Sequence, residues 1–136
     1  MDITIYVIII FIIAFFFFGG TLGKGKLSYQ QILALAKNAG FSDSDASIAA
    51  AIALAESGGN PTAYNPETEA SGGTPEGLGS FGLWQIYLKA HPEFSGTNLY
   101  DPQVNARAAF DIYSKSRNTF VAWSTFNSGD FQTFLA

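Results

Sequence analysis

A single glutamate at the end of an apolar helix is the residue best placed to do chemistry in this sequence. In the segment AIALAESGGN, residues 51–60, Glu56 follows a run of alanine, isoleucine and leucine and precedes Ser57 and two glycines. Ile48 and Ile52 lie on the same face of the predicted helix. Burial of that face and the partial negative charge of a helix C-terminus both raise the pKa of a carboxyl group. Glu56 is therefore a candidate general acid, a group that glycosidic bond cleavage requires.

The same pattern has a plainer interpretation. A glutamate in the last turn of a helix, just before a glycine C-cap, can simply be half exposed to water and have no chemical role. The helix by itself does not separate the two interpretations, so the motifs that accompany Glu56 have to decide between them.

Composition excludes several classes of site. The chain has 136 residues, 7 lysines and arginines, 11 aspartates and glutamates, one histidine and no cysteine. The net charge of −4 gives no basic surface for nucleic acid. The absence of cysteine excludes disulfides and thiolate ligands, and His91 has no second ligand at metal spacing. We therefore expect no metal, no cofactor and no nucleic-acid partner.

The elements that would position Glu56 form a small all-helical domain, predicted over residues 28–136. Ser28 and Gln31 make a capping box for a first helix that ends at Gly40. SDSDAS, residues 42–47, supplies an N-cap and acidic first turn for a second helix, which runs to about Ser57.

Three further helices are predicted downstream, and no alternating strand pattern is present. A short helix is predicted for residues 81–90, FGLWQIYLKA. The segment at 101–116 has Asp101 as N-cap and Pro102 at the first helical position. The last short helix, residues 120–129, would end at Gly129.

The N-terminus predicts a membrane anchor. Residues 3–18 carry no charge, and as a helix they would span about 24 Å, close to the roughly 30 Å of a bilayer core. We expect residues 1–20 to form a transmembrane helix that contacts lipid through residues 3–18, and residues 21–27 to be a flexible linker. The segment lacks the positive start and cleavage site of a signal peptide.

Four segments together resemble the lytic transglycosylase domain of the goose-type lysozyme superfamily. They are AIALAESGGNPTAYN, GSFGLWQI, DPQVNARAAFDIY and AWSTFNSGDF, in this order and at plausible spacing. The similarity covers roughly residues 28–134. It implies a lysozyme-like helical fold and an enzyme that cleaves peptidoglycan between MurNAc and GlcNAc.

The resemblance also implies roles for individual residues. Glu56 corresponds to the family's catalytic acid. The implied substrate-binding residues are Ser57, Trp84, Gln85, Phe126 and Asn127. Asn105 and Ala108 correspond to helix-packing positions, and Trp84 stands where the family usually has methionine.

Phe126 departs from the family pattern. The resemblance implies a tyrosine there, whose hydroxyl lies close to the catalytic carboxyl group. Phenylalanine keeps the ring and loses a hydrogen bond worth about 1 kcal/mol. Four tyrosines remain as alternative hydroxyl donors, and the sequence does not choose among them: Tyr64, Tyr87, Tyr100 and Tyr113.

Aromatic side chains are also candidates for stacking against sugar rings. We expect Phe81 and Trp123 to lie in the core. The sequence does not decide whether Trp84 and Tyr87 lie in the core or on the glycan-binding surface.

Three functional classes remain open, and the lytic transglycosylase is favoured. Family members of that class use one glutamate as both acid and base and leave a 1,6-anhydromuramoyl end. A hydrolytic muramidase would need a second carboxylate, for which Glu67, Glu69 and Glu76 are candidates. The third class is a non-catalytic glycan-binding or structural module.

The implied function and the charges beside the apolar segment predict different locations for the soluble domain. Lys24 and Lys26 follow the apolar segment, which favours a cytoplasmic soluble domain, whereas peptidoglycan lies outside the inner membrane. One solution is an enzyme anchored in the bacterial inner membrane that faces the periplasm. The other is the membrane of a lipid-containing phage virion, with capsid or envelope proteins as partners.

Overall fold

The computed structural model describes residues 25–66 and 78–136, which form a helix-rich unit with a small sheet. The α-helices are α1 (Tyr29–Ala39), α2 (Asp43–Ser57), α3 (Pro102–Lys115) and α4 (Ser124–Asn127). The strands are β1 (Tyr64–Asn65), β2 (Ser80–Phe81) and β3 (Ile86–Tyr87), and 3₁₀ helices span Pro92–Phe94 and Asp130–Phe134. The prediction of a mainly α fold is confirmed for this part of the chain.

The predicted helix boundaries of α1 and α2 are confirmed by their caps. The Gln31 amide donates to Ser28 Oγ at 3.2 Å, and the Ser28 amide donates to Gln31 Oε1 at 2.9 Å. Ser42 caps α2, and Gly58 ends it in the left-handed conformation with φ 62°. Only glycine adopts such a conformation without steric cost, so the chain leaves the helix directly after Ser57.

Helix α2 lies at the centre of the unit. Its buried residues are Ala46, Ala49, Ala50, Ala51, Ile52 and Ala53. Small side chains around most of the helix allow α1, α4 and the 3₁₀ helix Asp130–Phe134 to pack closely against it. A helix that is apolar on nearly all sides is stable only when it is surrounded. Glu56 therefore projects from the most enclosed element of the fold.

An aromatic cluster joins α3 to the corner between α1 and α2. The Phe41 ring stacks on Phe120 with centroids 5.7 Å apart and meets Phe110 edge-on at 5.0 Å. Tyr113 packs in the same cluster and donates its hydroxyl to Asp45 of α2. Such ring pairs add about 0.5–1.5 kcal/mol each beyond the burial of area. The cluster fixes α3 relative to the central helix.

The predicted helix at residues 81–90 is wrong. β2 and β3 flank a turn there, and β1 pairs with β2 to complete an antiparallel sheet. Gly82 has φ 75° and Gln85 has φ 48°, values that a right-handed helix cannot include. Strands of two residues are too short to produce an alternating pattern, which explains why the sequence did not reveal the sheet.

The predicted membrane anchor, residues 1–20, and most of the predicted linker lie outside the described residues. Within residues 25–66 and 78–136, no helix is long and apolar enough to cross a bilayer. Leu27, predicted as the end of the linker, is buried in the core, and its amide donates to the Gly59 carbonyl at 2.8 Å. The domain thus holds the chain one residue earlier than the sequence indicated.

Candidate active site

The Glu56 side chain lines a cleft between the sheet and the C-terminal segment. The cleft has a volume of about 260 Å³ and is open to solvent. Most of the residues that line it are polar: Glu56, Asn65, Ser80, Gln85, Tyr87, His91 and Ser124, with Ile86, Ile112, Ala122 and Trp123 as the apolar part. Among the lining residues that the structure describes, Glu56 is the sole carboxylate.

The Glu56 carboxyl group is partly buried, and its electrostatics result from two opposing effects. Loss of solvation by burial raises its pKa above the ordinary value of 4.5, and hydrogen bonds from Thr125 partly offset that rise. The Thr125 hydroxyl donates to Glu56 Oε1 at 2.9 Å. A carboxyl group with a raised pKa in a polar cleft can give up a proton and take it back.

Ser57 stabilises the helix end and does not line the cleft. Its Oγ donates to the Ala53 carbonyl at 2.9 Å and accepts from the Gly59 amide at 3.2 Å. The Ser57 hydroxyl therefore fixes the turn that follows Glu56. Gly59 is required by close approach, because a β-carbon there would lie 2.5 Å from the Leu27 carbonyl oxygen.

Gln85 lines the same cleft as Glu56 and lies in the turn between β2 and β3. Its Nε2 donates to the Ala63 carbonyl at 3.2 Å and to the Gly82 carbonyl at 3.0 Å. Because backbone carbonyls engage the amide nitrogen, the amide oxygen is the group that can accept a hydrogen bond from a ligand hydroxyl. Gln85 and Glu56 are the two predicted site residues that the structure brings together.

Asn105 holds the turn that carries Gln85. Its side chain is 0% exposed, and its Oδ1 accepts from the Trp84 amide at 2.9 Å. Its Nδ2 donates to the Phe81 and Leu99 carbonyls, both at 2.9 Å. A buried amide with all these partners fixes the backbone around it. The sequence marked Asn105 only as a packing position.

Trp84 is a core residue, so its predicted role in substrate binding is corrected. It is 1% exposed, and its Nε1 donates to the Ala49 carbonyl of α2 at 2.9 Å. A ring enclosed on both faces has no surface for a sugar. Trp123 lies in the core as predicted and donates its Nε1 to the Trp84 carbonyl at 2.9 Å, while Phe81 is only partly buried.

Phe126 and Asn127 lie near the site but not on the cleft lining. The Phe126 ring packs against Phe120 at 5.6 Å and Phe131 at 5.0 Å between centroids. Asn127 is exposed and donates its Nδ2 to the Val121 carbonyl at 2.9 Å. Both residues stabilise the C-terminal segment, and neither has a described contact with Glu56.

The hydroxyl that donates to Glu56 belongs to Thr125, next to Phe126, and not to any of the four candidate tyrosines. Tyr113 is engaged by Asp45, Tyr87 lines the cleft, and Tyr64 and Tyr100 pack on Phe81. Sequence reasoning missed Thr125 because a threonine beside an aromatic residue carries no distinctive pattern. Only the folded chain brings the two positions together.

Glu67, Glu69 and Glu76 lie outside the described residues, so their role as a second carboxylate stays a prediction.

His91 lines the cleft, and its Nδ1 lies 3.6 Å from Glu93 Oε1. Across residues 25–66 and 78–136, no group of three or more histidine, aspartate or glutamate side chains could hold a metal ion.

Comparison with known proteins returns one family. A family model described as a lysozyme-like domain matches residues 33–125, more than half of the chain. No curated protein and no solved structure matches the chain. The matched range contains α2 with Glu56, the turn with Gln85, the buried Asn105 and Thr125. The chain belongs to the lysozyme-like domain family, and this membership supports a peptidoglycan-degrading enzyme that cleaves glycosidic bonds.

Proposed function

We propose that this protein is a peptidoglycan lytic transglycosylase that cleaves the β-1,4 bond between MurNAc and GlcNAc with Glu56 as both acid and base. The observation that carries the proposal is the solitary position of Glu56. It is the only carboxylate among the described residues of the cleft lining, and burial raises its pKa. A reaction that one carboxylate can complete fits this cleft better than one that requires two.

The reaction follows from the proton that Glu56 holds. The carboxyl group gives its proton to the glycosidic oxygen, the bond from C1 of MurNAc to that oxygen breaks, and GlcNAc leaves with a free hydroxyl. The C6 hydroxyl of the same MurNAc then attacks C1 and returns its proton to the Glu56 carboxylate. The product is a 1,6-anhydro ring, and no water is consumed. The raised pKa favours the protonated form that starts the cycle.

Gln85 fits the role of a substrate contact on the opposite side of the cleft. Its amide oxygen can accept a hydrogen bond from a sugar hydroxyl or an N-acetyl N–H, because its nitrogen is bonded to backbone carbonyls. Its fixed backbone turn means that little conformational freedom is lost when a glycan binds.

Mass spectrometry of digested murein tests the proposal. The full-length chain, its Glu56→Gln variant and a Glu93→Gln variant are each incubated with purified sacculi, and the soluble products are analysed. Glu93 is an exposed carboxylate outside the cleft lining, so its variant controls for loss of a charge.

We expect anhydro-ended muropeptides from the wild type and from Glu93→Gln, and none from Glu56→Gln. Reducing ends would contradict the transglycosylase and favour the hydrolase, with Glu67, Glu69 or Glu76 as the second carboxylate. Binding of murein without any product would favour the glycan-binding module.

We also propose that residues 1–20 anchor the enzyme in a membrane, either the bacterial inner membrane with a periplasmic domain or the membrane of a phage virion. The support is the uncharged apolar run at residues 3–18. Protease added to spheroplasts or to intact particles tests the orientation. Digestion of the domain in spheroplasts is expected for the periplasmic form, and protection there would contradict it.

A further inference from the structure

The contact between α4 and the end of α2 gives Glu56 a defined hydrogen-bond partner. Thr125 Oγ1 donates to Glu56 Oε1 at 2.9 Å. Thr125 is partly buried, so water competes little for its hydroxyl. Among the described residues, no other group donates to this carboxyl.

A donated hydrogen bond determines which oxygen of the carboxyl group carries the proton. An oxygen that accepts from the Thr125 hydroxyl uses a lone pair in that bond, so the protonated form of Glu56 carries its proton on Oε2. We infer that Thr125 is a positioning residue that fixes the plane of the Glu56 carboxyl group and makes Oε2 the oxygen that transfers the proton. This inference rests on the proposed glycosidic cleavage.

The same contact acts in both halves of the reaction. When Oε2 gives its proton to the glycosidic oxygen and the C1–O bond breaks, the carboxylate is left ionised in a partly buried position. The hydrogen bond from Thr125 then becomes charge-assisted and strengthens. The proton of the C6 hydroxyl returns to Oε2 as the new C6–O–C1 bond forms. Thr125 itself gains and loses no proton.

Burial and hydrogen bonding act on the pKa of Glu56 in opposite directions. Burial raises the pKa of Glu56, and Thr125 lowers it. Without the hydroxyl, the pKa of Glu56 would rise further, and the ionised intermediate would lose its hydrogen-bond partner. Thr125 therefore limits the rise in the pKa of Glu56 that burial causes.

Three variants of the full-length chain test the assignment. Thr125→Val keeps the shape of the side chain and removes the hydroxyl, and Thr125→Ser keeps the hydroxyl and removes a methyl group. Thr119→Val is the matched control, because Thr119 donates to the Ser116 carbonyl and does not line the cleft. Two readouts are used: the pH profile of kcat/KM on sacculi, and the titration of Glu56 by ¹³C NMR of its carboxyl carbon.

We expect Thr125→Val to lower kcat on the order of tenfold with little change in KM. The alkaline limb of its profile and the NMR titration should both move to higher pH, because a group that stabilised the ionised form is gone. Thr125→Ser and Thr119→Val should stay close to the wild type in both readouts.

An unchanged limb and titration in Thr125→Val would overturn the assignment, whatever its rate. A loss of activity in Thr125→Ser equal to that in Thr125→Val would also overturn it, because packing would then be responsible. If the wild type cleaves nothing, the proposed function fails, and the NMR titration still decides the role of Thr125 by itself.

Discussion

The two walls of the cleft are held in different ways. The loop wall, residues 82–85, is fixed by directional hydrogen bonds to buried groups, above all those of Asn105. The helix wall, residues 122–125, contains the exposed Ala122 and Ser124. It is held by one hydrogen bond from the buried Trp123 to the Trp84 carbonyl and by the adjoining Phe126 ring, which packs on its neighbours. Hydrogen bonds specify one geometry, whereas aromatic packing tolerates small shifts. We therefore expect the largest losses of stability from changes that remove the hydrogen bonds of the loop wall, and smaller losses from changes in the helix wall.

The largest expected effect is on the loop wall. Asn105→Ala removes a buried amide and leaves the Trp84 amide and two carbonyl oxygens without their partner, which should lower the free energy of unfolding by about 3 kcal/mol or more. Urea denaturation measures the loss. Asn127→Ala is the matched control, since this exposed asparagine makes one hydrogen bond to Val121 and should cost about 0.5 kcal/mol. Equal losses in the two variants would contradict the assignment of Asn105 as the residue that holds the loop wall.

A second prediction concerns the bond that joins the two walls. Trp123→Phe removes the N–H that donates to the Trp84 carbonyl and should cost about 1–3 kcal/mol, since that oxygen is left buried and unpaired. Cleavage of sacculi should fall as well, because the helix wall would no longer be held in register with Gln85. An unfolding midpoint equal to that of the wild type would mean that packing alone connects the walls.

The third prediction concerns how the stability contributed by Glu56, which lines the cleft, depends on pH. Since burial raises the pKa of Glu56 in the folded state, the folded protein binds more protons than the unfolded one between the two pKa values. Stability contributed by this group is therefore present below pH 4.5 and is lost as pH rises through the folded pKa. Glu56→Gln should gain stability relative to the wild type as the pH rises above 4.5 and should be about equal to it below that pH. A constant offset across this range, measured by urea midpoints, would contradict the buried carboxyl.

The smallest effect is expected for Phe126→Tyr on the helix wall. Thr125 already donates to Glu56, and the Phe126 ring packs on Phe120 and Phe131, so an added hydroxyl has little left to do. The rate of murein cleavage should change by less than about threefold. A large gain would show that the Thr125 hydroxyl alone does not provide all the hydrogen bonding that Glu56 can use.

Local sequence rules predicted the helices well. The capping box of Ser28 and Gln31, the Ser42 cap and the Asp101–Pro102 start each depend on residues within one turn. Such contacts are determined by spacing, which a sequence displays directly. The position of Glu56 at the end of α2 followed from the same rules.

Contacts between distant positions were not predictable in this way. Thr125 and Glu56 are 69 positions apart, and Trp84 donates to a carbonyl 35 positions away. Nothing near Trp84 shows whether its ring faces a sugar or the core, because the answer depends on Asn105 and α2. The helix predicted at residues 81–90 is replaced by the turn 82–85, in which Gly82 and Gln85 have positive φ and the Trp84 amide is bonded by Asn105, 21 positions away.

The hydrogen bond between the Leu27 amide and the Gly59 carbonyl has a mechanical consequence. It attaches the N-terminal segment to the chain three residues beyond Glu56, so any pull transmitted along that segment is applied beside the carboxyl group and not at the far side of the domain. The buried Leu27 side chain shares this load. If residues 1–20 sit in a bilayer, residues 21–26 can extend at most about 20 Å. In that case the domain would stay close to the membrane surface.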